Sequence, residues 1–200
     1  MTMSDNTHKS VCRRFMVYLF NKKFFTSDAK SILAKIRDLT ESKEIITRDC
    51  RISPNFIELD ISLPENQEII HVLNLLKNIS PIKEVVEVTE RHLSKNEAIN
   101  NAIYLFNEEK YWWSHEALEM VWKESTGEEK QLLNGLILVC AAFVHHQKDE
   151  IKICLSILER SMLKFSDVKR SIYYGINIDE IKERVKKILI NKDFILFIIF

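Results

Sequence analysis

Glycine is scarce in this chain of 200 residues, which contains only three, Gly127, Gly135 and Gly175. The Walker A phosphate-binding loop and the dinucleotide-binding fingerprint both need several glycines at fixed spacing. The Gly-x-Ser-x-Gly turn that carries the nucleophile of many hydrolases needs two. None of these motifs can be written from the sequence, which excludes the most common nucleotide-binding enzymes and the usual serine hydrolases.

An excess of charge of either sign is also missing, because 29 Lys and Arg residues face 29 Asp and Glu residues. Nucleic-acid binding depends largely on positive charge that neutralises phosphates, so we expect no nucleic-acid partner. The four cysteines form no C-x-x-C pair. Their positions, mostly in apolar segments, indicate reduced, buried thiols of a cytoplasmic protein. These cysteines are Cys12, Cys50, Cys140 and Cys154.

Long hydrophobic runs are absent. Residues 1–10 are polar and predict a disordered tail, and the apolar run 15–20 is too short for a signal peptide. Residues 193–200 hold seven apolar residues after Asp193, far fewer than the roughly 20 that span a bilayer. We therefore expect no transmembrane segment. The composition of 193–200 favours a strand that packs within the chain or in a dimer, with a membrane-surface role as the alternative.

The first half of the chain predicts strands at 13–20, 44–52, 55–62 and 82–89. Helices are predicted at 27–40, with Ser27 as N-cap, and after Pro64. The order β-α-β-β-α-β is typical of a ferredoxin-like domain, which we place at residues 11–92. RNA-recognition modules share this architecture and need an aromatic row, which Tyr18 and Phe20 could supply. We expect Glu58 and Asp60 on the solvent-facing side of the third strand, where they would repel phosphate.

The second half predicts an all-α bundle of about five helices at residues 93–192, so the fold class is α+β. The helices are expected at 94–106, 111–124, 127–146, 151–164 and 179–190. Ser94 and Glu97 have the spacing of a capping box at the start of the first, and Asn177 and Glu180 have a variant of it before the last. The helix at 127–146 is apolar on two sides, which predicts the centre of the bundle.

All three tryptophans lie between residues 106 and 122. On a helix over 111–124, His115, Leu118, Glu119 and Trp122 share one face, because they stand at i, i+3, i+4 and i+7. One interpretation is a buried, hydrogen-bonded His/Glu pair that joins two helices. The other is a site, in which the pair holds a divalent cation or acts as a general base and its orienter. The pattern is not His-Glu-x-x-His, because Glu119 stands where that motif has its second histidine.

A longer motif surrounds these residues. It consists of Phe106, Asn107, Tyr111, His115, Glu116, Leu118, Glu119, Trp122, the run 133–137 with Gly135, Ala141, Ala142 and His145. With this motif the chain resembles the family called domain of unknown function 309, over about residues 94–189. The resemblance implies a small all-α domain with a buried His/Glu core and no established activity, in which His145 is the counterpart of a recurring histidine. The sequence departs from the family at 149–150, usually Gly-Asn, and at 153–154, usually Gly-Ala, which predicts altered packing of the third and fourth helices.

Two functions are compatible with these features. The first is an interaction or regulatory module without a cofactor, in which the helical domain binds a protein partner through Trp112 and Trp113 and the sheet domain forms a homodimer. The alternative is a small metal-assisted hydrolase that binds a divalent metal such as zinc through His115, Glu119 and His145. Glu116 would then be an accessory carboxylate. Adjacent antiparallel helices would allow His145 to meet the other two ligands.

Overall fold

The computed structural model describes residues 12–41, 44–89 and 92–192. The predicted tail at 1–10 and the predicted strand at 193–200 lie outside these ranges. The chain divides into two compact units between residues 90 and 91. The first contains a four-stranded sheet with two helices and the second contains five helices, which confirms the mixed α+β class and the helical second half.

The sheet unit alternates strands and helices in the order β-α-β-β-α-β, with a short 3-10 helix before the first α-helix. All neighbouring strands are antiparallel and lie in the order β2-β3-β1-β4. In the middle of the sheet Val17 pairs with Leu59 on one side and Val85 on the other. The elements are β1 Cys12–Phe20, α1 Ala29–Thr40, β2 Ile46–Ile52, β3 Phe56–Pro64, α2 Ile69–Leu76 and β4 Ile82–Glu87.

One face of the sheet packs on the apolar sides of α1 and α2. Val17 and Leu59 are fully buried there with Ile36 of α1 and Leu76 of α2. Alternate residues of a strand point to opposite faces, and residues three or four apart share one side of a helix. The period of apolar residues in the sequence therefore predicts this core directly.

Two predicted helix starts in this unit are wrong. Ser27 is not an N-cap, because it lies inside the 3-10 helix Thr26–Asp28, and α1 begins at Ala29. The carboxylate of Asp28 accepts a hydrogen bond from the backbone N–H of Phe25 and closes this extra turn. Pro64 does not begin a helix either, because it ends β3 opposite Cys12, and α2 starts at Ile69. A proline is tolerated at such a strand end, where no further ladder donor is needed.

The prediction that Glu58 and Asp60 face solvent is also wrong. Their exposed fractions are 2% and 3%. Arg51 lies opposite Glu58 in the β2–β3 register and forms an ion pair with it. Asp60 accepts two hydrogen bonds, of 2.8 and 2.6 Å, from the guanidinium of Arg14 on β1. We call Arg51, Glu58 and Asp60 the sheet cluster; arginines on neighbouring strands balance its carboxylates, and this pairing makes burial tolerable.

The helical unit contains the five predicted helices and one hairpin that the sequence analysis missed. The Ser94 side chain accepts a hydrogen bond from the backbone N–H of Glu97, and the Glu97 carboxylate accepts one from the backbone N–H of Ser94. The capping box is therefore confirmed. Asn177 likewise caps the last helix by accepting from the Glu180 N–H at 3.0 Å. The elements are α3 Lys95–Asn107, α4 Tyr111–Glu124, α5 Gly127–His146, α6 Ile151–Phe165, β5 Ile172–Tyr173, β6 Ile176–Asn177 and α7 Ile178–Asn191.

The missed hairpin joins β5 and β6 through Tyr174 and Gly175, which both have positive φ angles of 50° and 84°. Two consecutive residues with positive φ are the mark of a type I′ turn, which suits the twist of a tight hairpin. Gly175 was the available signal. The strands are only two residues long each, too short for the alternation by which strands are recognised in a sequence.

The central helix α5 packs tightly against α6 at Gly135. A Cβ atom built on Gly135 would lie 2.4 Å from Cε1 of Phe165, so only glycine fits without movement of the ring. Cys154 at the start of α6 is fully buried, and Asp149 adopts a positive φ of 60° in the turn between the helices. The departures from the family at these positions therefore leave a closely packed α5–α6 pair. None of the described helices is both long and apolar enough to cross a membrane.

Candidate metal centre

Aromatic packing fixes the orientation of α4. Tyr111 stacks on Phe143 of α5 with ring centroids 5.0 Å apart, and Phe106 of α3 meets Tyr111 edge-on at 4.9 Å. Ser114 and Leu118 continue this buried side along the helix. Burial raises the pKa of the Tyr111 hydroxyl far above its ordinary value of 10. These residues are therefore part of the core, and they determine which side chains of α4 reach the surface.

His115 and Glu119 lie one position around the helix from Ser114 and Leu118, at the rim of the core. Their side chains are 23% and 36% exposed. The prediction of partial burial is therefore confirmed for both, but neither is sealed inside the bundle. Trp122, one turn further on, is also partly buried, and its ring centroid lies 4.6 Å from the ammonium group of Lys130.

His115, Glu116 and Glu119 come together as a group that could hold a metal ion. Nδ1 of His115 is 3.5 Å from Oε1 of Glu116, and Nε2 of His115 is 3.8 Å from Oε1 of Glu119. One ligand atom from each of the three residues lies within 4.8 Å of the others. We call these residues the α4 cluster. One imidazole nitrogen and two carboxylates are a ligand set that zinc and other first-row divalent ions accept.

Two polar atoms on this side of α4 have no hydrogen-bond partner among the described residues. They are Nδ1 of His115 and Nε1 of Trp122, and both atoms are buried. A buried polar atom without a partner costs about 1–3 kcal/mol. At His115 a bound cation could meet this need, because the unpartnered nitrogen faces the Glu116 carboxylate.

His145 is not part of this group. Its Nδ1 lies 2.5 Å from Oε2 of Glu150, beyond the end of α5. Partial burial alone would raise the pKa of Glu150, but the hydrogen bond with His145 and the charge of Lys148, 3.4 Å away, together lower it. The pairing with Glu150 was not expected, although the short sequence separation of five residues was a signal for it.

The geometry of α5 explains why His145 points elsewhere. The helices are adjacent as predicted, since Tyr111 stacks on Phe143 and the Gln147 side chain donates to the Glu109 carbonyl at 2.9 Å. Phe143 and Gln147 thus form the side of α5 that faces α4. At about 100° per residue, His145 lies roughly 200° around the helix from Phe143, on the opposite side. Adjacent helices were predictable, but adjacent side chains were not.

The remaining motif residues have structural positions. Phe106, Tyr111, Leu118 and Gly135 are buried in the helical core. Trp112 and Trp113, the predicted surface aromatics of α4, are half-buried and meet edge-to-face with centroids 4.9 Å apart. Their contact with each other reduces the aromatic area that they offer to a partner.

A small cavity of about 10 Å³ lies beside Ser114 and Cys140, inside the bundle. Ser114 donates a hydrogen bond to the Ala102 carbonyl at 2.8 Å, and its oxygen is 3.4 Å from the Cys140 sulfur. Desolvation raises the pKa of the Cys140 thiol to about 12, which leaves it without a reactive thiolate at neutral pH. The cavity has room for roughly one water molecule and is not a substrate site.

Among comparisons with known proteins, the match to a family model is the one that agrees with the motif. No curated protein matches the chain. A solved structure, that of a conserved hypothetical protein from Thermus thermophilus, is similar with 24% sequence identity and a TM-score of 0.40, over 45% of this chain and 93% of that one. Residues 99–157 match the model of the family described as Domain of unknown function (DUF309), which confirms the family resemblance that the motif residues indicated.

Proposed function

We propose that the helical unit binds one divalent metal ion, such as zinc, through His115, Glu116 and Glu119. The observation that carries this proposal is the convergence of one nitrogen and two carboxylates within 4.8 Å of one another on consecutive turns of α4. Ligands held about 2.0–2.2 Å from a zinc ion lie roughly 3–4 Å apart. The contacts of 3.5 and 3.8 Å involve different nitrogens of the His115 ring, Nδ1 toward Glu116 and Nε2 toward Glu119. One ion takes only one of these nitrogens, so a rotation of the imidazole or of one carboxylate would complete the site.

Charge balance supports the same assignment. Within the described part of the chain, the only ion pair of Glu119 is with His115, and that contact is charged only if the histidine is protonated. A neutral imidazole is the form that binds metals. A divalent ion would supply the positive charge at this position and would occupy the unpartnered Nδ1 of His115.

The ligand set also bears on the hydrolase alternative. Three protein ligands leave at least one coordination position for water, which is the arrangement of catalytic rather than structural zinc sites. A metal held in this way lowers the pKa of its bound water and makes a nucleophile at neutral pH. In this proposal Glu116 is a ligand rather than an accessory carboxylate, and His145 has no role at the metal. The geometry supports metal binding. Hydrolysis would be tested separately, by an activity screen of the protein with its metal bound.

The direct test is metal content together with thermal unfolding. We expect the protein purified without chelator to contain close to one zinc, manganese or other transition ion per chain. Added metal at about 100 times its Kd should stabilise the wild type by about 2.7 kcal/mol, a shift in Tm of roughly 5–10 °C for a chain of this size. His115→Ala and Glu119→Gln should abolish both the bound metal and the shift.

His145→Ala is the matched control, because it removes the same side chain from the same unit at a position paired with Glu150. It should bind metal as the wild type does. If the wild type binds no transition metal, or if His145→Ala loses metal as fully as His115→Ala, the assignment of the site is wrong.

The sheet unit supports a second, separate function. Its element order and its strand order β2-β3-β1-β4 favour a ferredoxin-like topology, an architecture that unrelated proteins use for different functions, dimerisation among them. The function proposed for it is homodimerisation, which light scattering during size-exclusion chromatography tests through the molar mass.

A cytoplasmic location is proposed as well, supported by four free cysteines of which three are buried.

A further inference from the structure

Although the whole chain has no net charge, acidic and basic residues are unevenly distributed within the helical unit. Residues 95–150, which form α3, α4 and α5, contain five Lys and ten Asp or Glu residues. Residues 151–192, which form α6, the hairpin and α7, contain ten Lys or Arg and five Asp or Glu residues. The two parts therefore carry opposite net charges of five each, and a field that the whole chain lacks exists at α6 and α7.

Many of these basic side chains are at the surface. The core-facing side of α7 is formed by Ile181, Val185 and Ile188, which leaves Lys186 and Lys187 on the outer side. Both are exposed, and neither forms an ion pair within the described ranges. The same is true of Lys152 and Arg160 on α6. Exposed Glu183 lies three and four residues before Lys186 and Lys187 on α7, and exposed Glu159 lies beside Arg160 on α6. Each outer side therefore carries two basic residues and one acidic one, which leaves an excess of positive charge for an anionic partner.

Large aliphatic side chains stand exposed among the basic ones. Leu163 on α6 is 72% exposed and Ile190 on α7 is 78% exposed. Ile153 and Ile172 are 47% and 60% exposed. A single exposed leucine needs no explanation, but three aliphatic side chains on α6 and α7, together with Ile172 on the hairpin between them, combine apolar area with positive charge.

We propose that the basic and aliphatic side of α6 and α7 binds the surface of an anionic lipid bilayer. Basic residues near such a surface are attracted to its acidic headgroups, and partly inserted aliphatic side chains add apolar burial.

The chemistry of the exposed side chains favours lipid over nucleic acid. Single-stranded nucleic acid is held by aromatic side chains on which bases stack. On this surface the exposed apolar residues are Ile153, Leu163, Ile172 and Ile190, with Tyr174 as the one aromatic at 44% exposure among the described residues. The acidic part of the unit, residues 95–150, would be repelled by the same bilayer, so the charge distribution also selects which side approaches it.

The test is flotation of the full chain with phosphatidylcholine vesicles that contain or lack phosphatidylserine. We expect binding only to the anionic vesicles, and weaker binding as salt is raised. Each basic residue at the surface contributes roughly fivefold in affinity, so Lys186→Gln with Lys187→Gln should weaken binding about 25-fold. Ile190→Asn should weaken it independently, by removing apolar area without touching the core.

Lys30→Gln with Lys35→Gln is the matched control, because it removes two exposed lysines from α1 of the other unit. It should bind vesicles as the wild type does, and circular dichroism should show that all variants fold. Equal binding to neutral vesicles, no binding to anionic ones, or an equal loss in the control would overturn the proposal. So would tight binding of a single-stranded RNA without binding of vesicles.

Discussion

The two units each hold a cluster of charged side chains, and the clusters differ in what balances the charge. In the sheet cluster Arg51 is 2% exposed and contacts both Glu58 and Asp60, while Arg14 holds Asp60 from the next strand. In the α4 cluster the contacts that join the three residues are between one histidine and two glutamates. The first is buried with its own cations, and the second lies at the rim of the core.

An unpartnered atom alone does not distinguish a site from a scaffold. Oε2 of Glu58 has no hydrogen-bond partner within the described residues, just as Nδ1 of His115 has none. The difference is that Glu58 is neutralised by the guanidinium of Arg51, whereas the contacts of His115 supply no fixed positive charge. A cluster that carries its own cations holds strands together, and one that lacks them is suited to an external cation.

The largest effect is expected from Arg51→Met, which breaks the sheet cluster. Removal of one partner from a buried ion pair leaves an uncompensated charge and costs about 3–5 kcal/mol. Urea unfolding should show this loss. Arg184→Met is the control, because Arg184 is 44% exposed and its pair with Glu180 one turn away on α7 is worth only about 0.3–0.5 kcal/mol. Equal losses in the two variants would show that the sheet cluster does not depend on its internal cation.

A smaller loss is expected at Gly135, where α5 packs directly against the Phe165 ring of the helical unit. Gly135→Ala places a methyl group against the Phe165 ring, and such overpacking costs about 1–3 kcal/mol. Phe165→Leu in the same chain should return part of the stability that Gly135→Ala removes, which a double-mutant cycle would measure. Additive losses would mean that α5 and α6 do not meet at this point.

Local patterns predicted most of the fold. The helix over Tyr111–Glu124 and the Ser94 capping box were both readable from spacing alone, because they depend on residues within one or two turns. Ser27 and Pro64 show the limit of the same reasoning. Each is a residue type that suits a helix start, but the start is decided by the 3-10 turn at Asp28 and by the length of β3.

Contacts between elements were predicted less well. The alternation of Glu58 and Asp60 with apolar residues indicated a solvent-facing side. The sequence does not show that Arg51 lies opposite Glu58 on β2, or that Arg14 on β1 reaches Asp60. At the candidate site, His115 and Glu119 were predicted together because they lie one turn apart on the same helix, whereas Glu116 was expected only as an accessory carboxylate. His145 lies on another helix, and a difference of two residues from Phe143 turns it away from α4.

Glu129, at the start of α5, is a carboxylate whose charge is balanced by a lysine of the same unit. It tests whether such a carboxylate stabilises the fold, as the carboxylates of the sheet cluster are expected to do. A hydrogen bond from Lys95, together with one from the Tyr173 hydroxyl, lowers the pKa of Glu129 below its ordinary value of 4.5. A lowered pKa in the folded state means that the stabilisation is present above pH 4.5 and is lost as the pH falls through the folded-state value. Glu129→Gln should therefore lower the Tm at pH 7, and the difference from wild type should disappear at acidic pH.

The control for this pH dependence is Glu124→Gln, because Glu124 is an exposed carboxylate that forms no ion pair within the described residues. Its Tm difference from wild type should be small at both pH values. A loss at Glu129 that stays constant down to strongly acidic pH would show that its partners recognise the side chain by shape and not by charge.

The smallest effect on stability, and the sharpest test of the comparison, is expected from Glu119→Lys. This change gives the α4 cluster the internal cation that the sheet cluster already has. Because this side chain is 36% exposed, the substitution should change the unfolding free energy of the metal-free protein by no more than about 0.5 kcal/mol.

The control is Glu124→Lys, which makes the same change of charge later on α4, away from the cluster, and should keep the rise in Tm produced by zinc. Glu119→Lys should lose that rise completely, since an ammonium group would occupy the place of the ion. If zinc still stabilises Glu119→Lys, the α4 cluster is a surface polar patch and the contrast between the two clusters has no functional meaning.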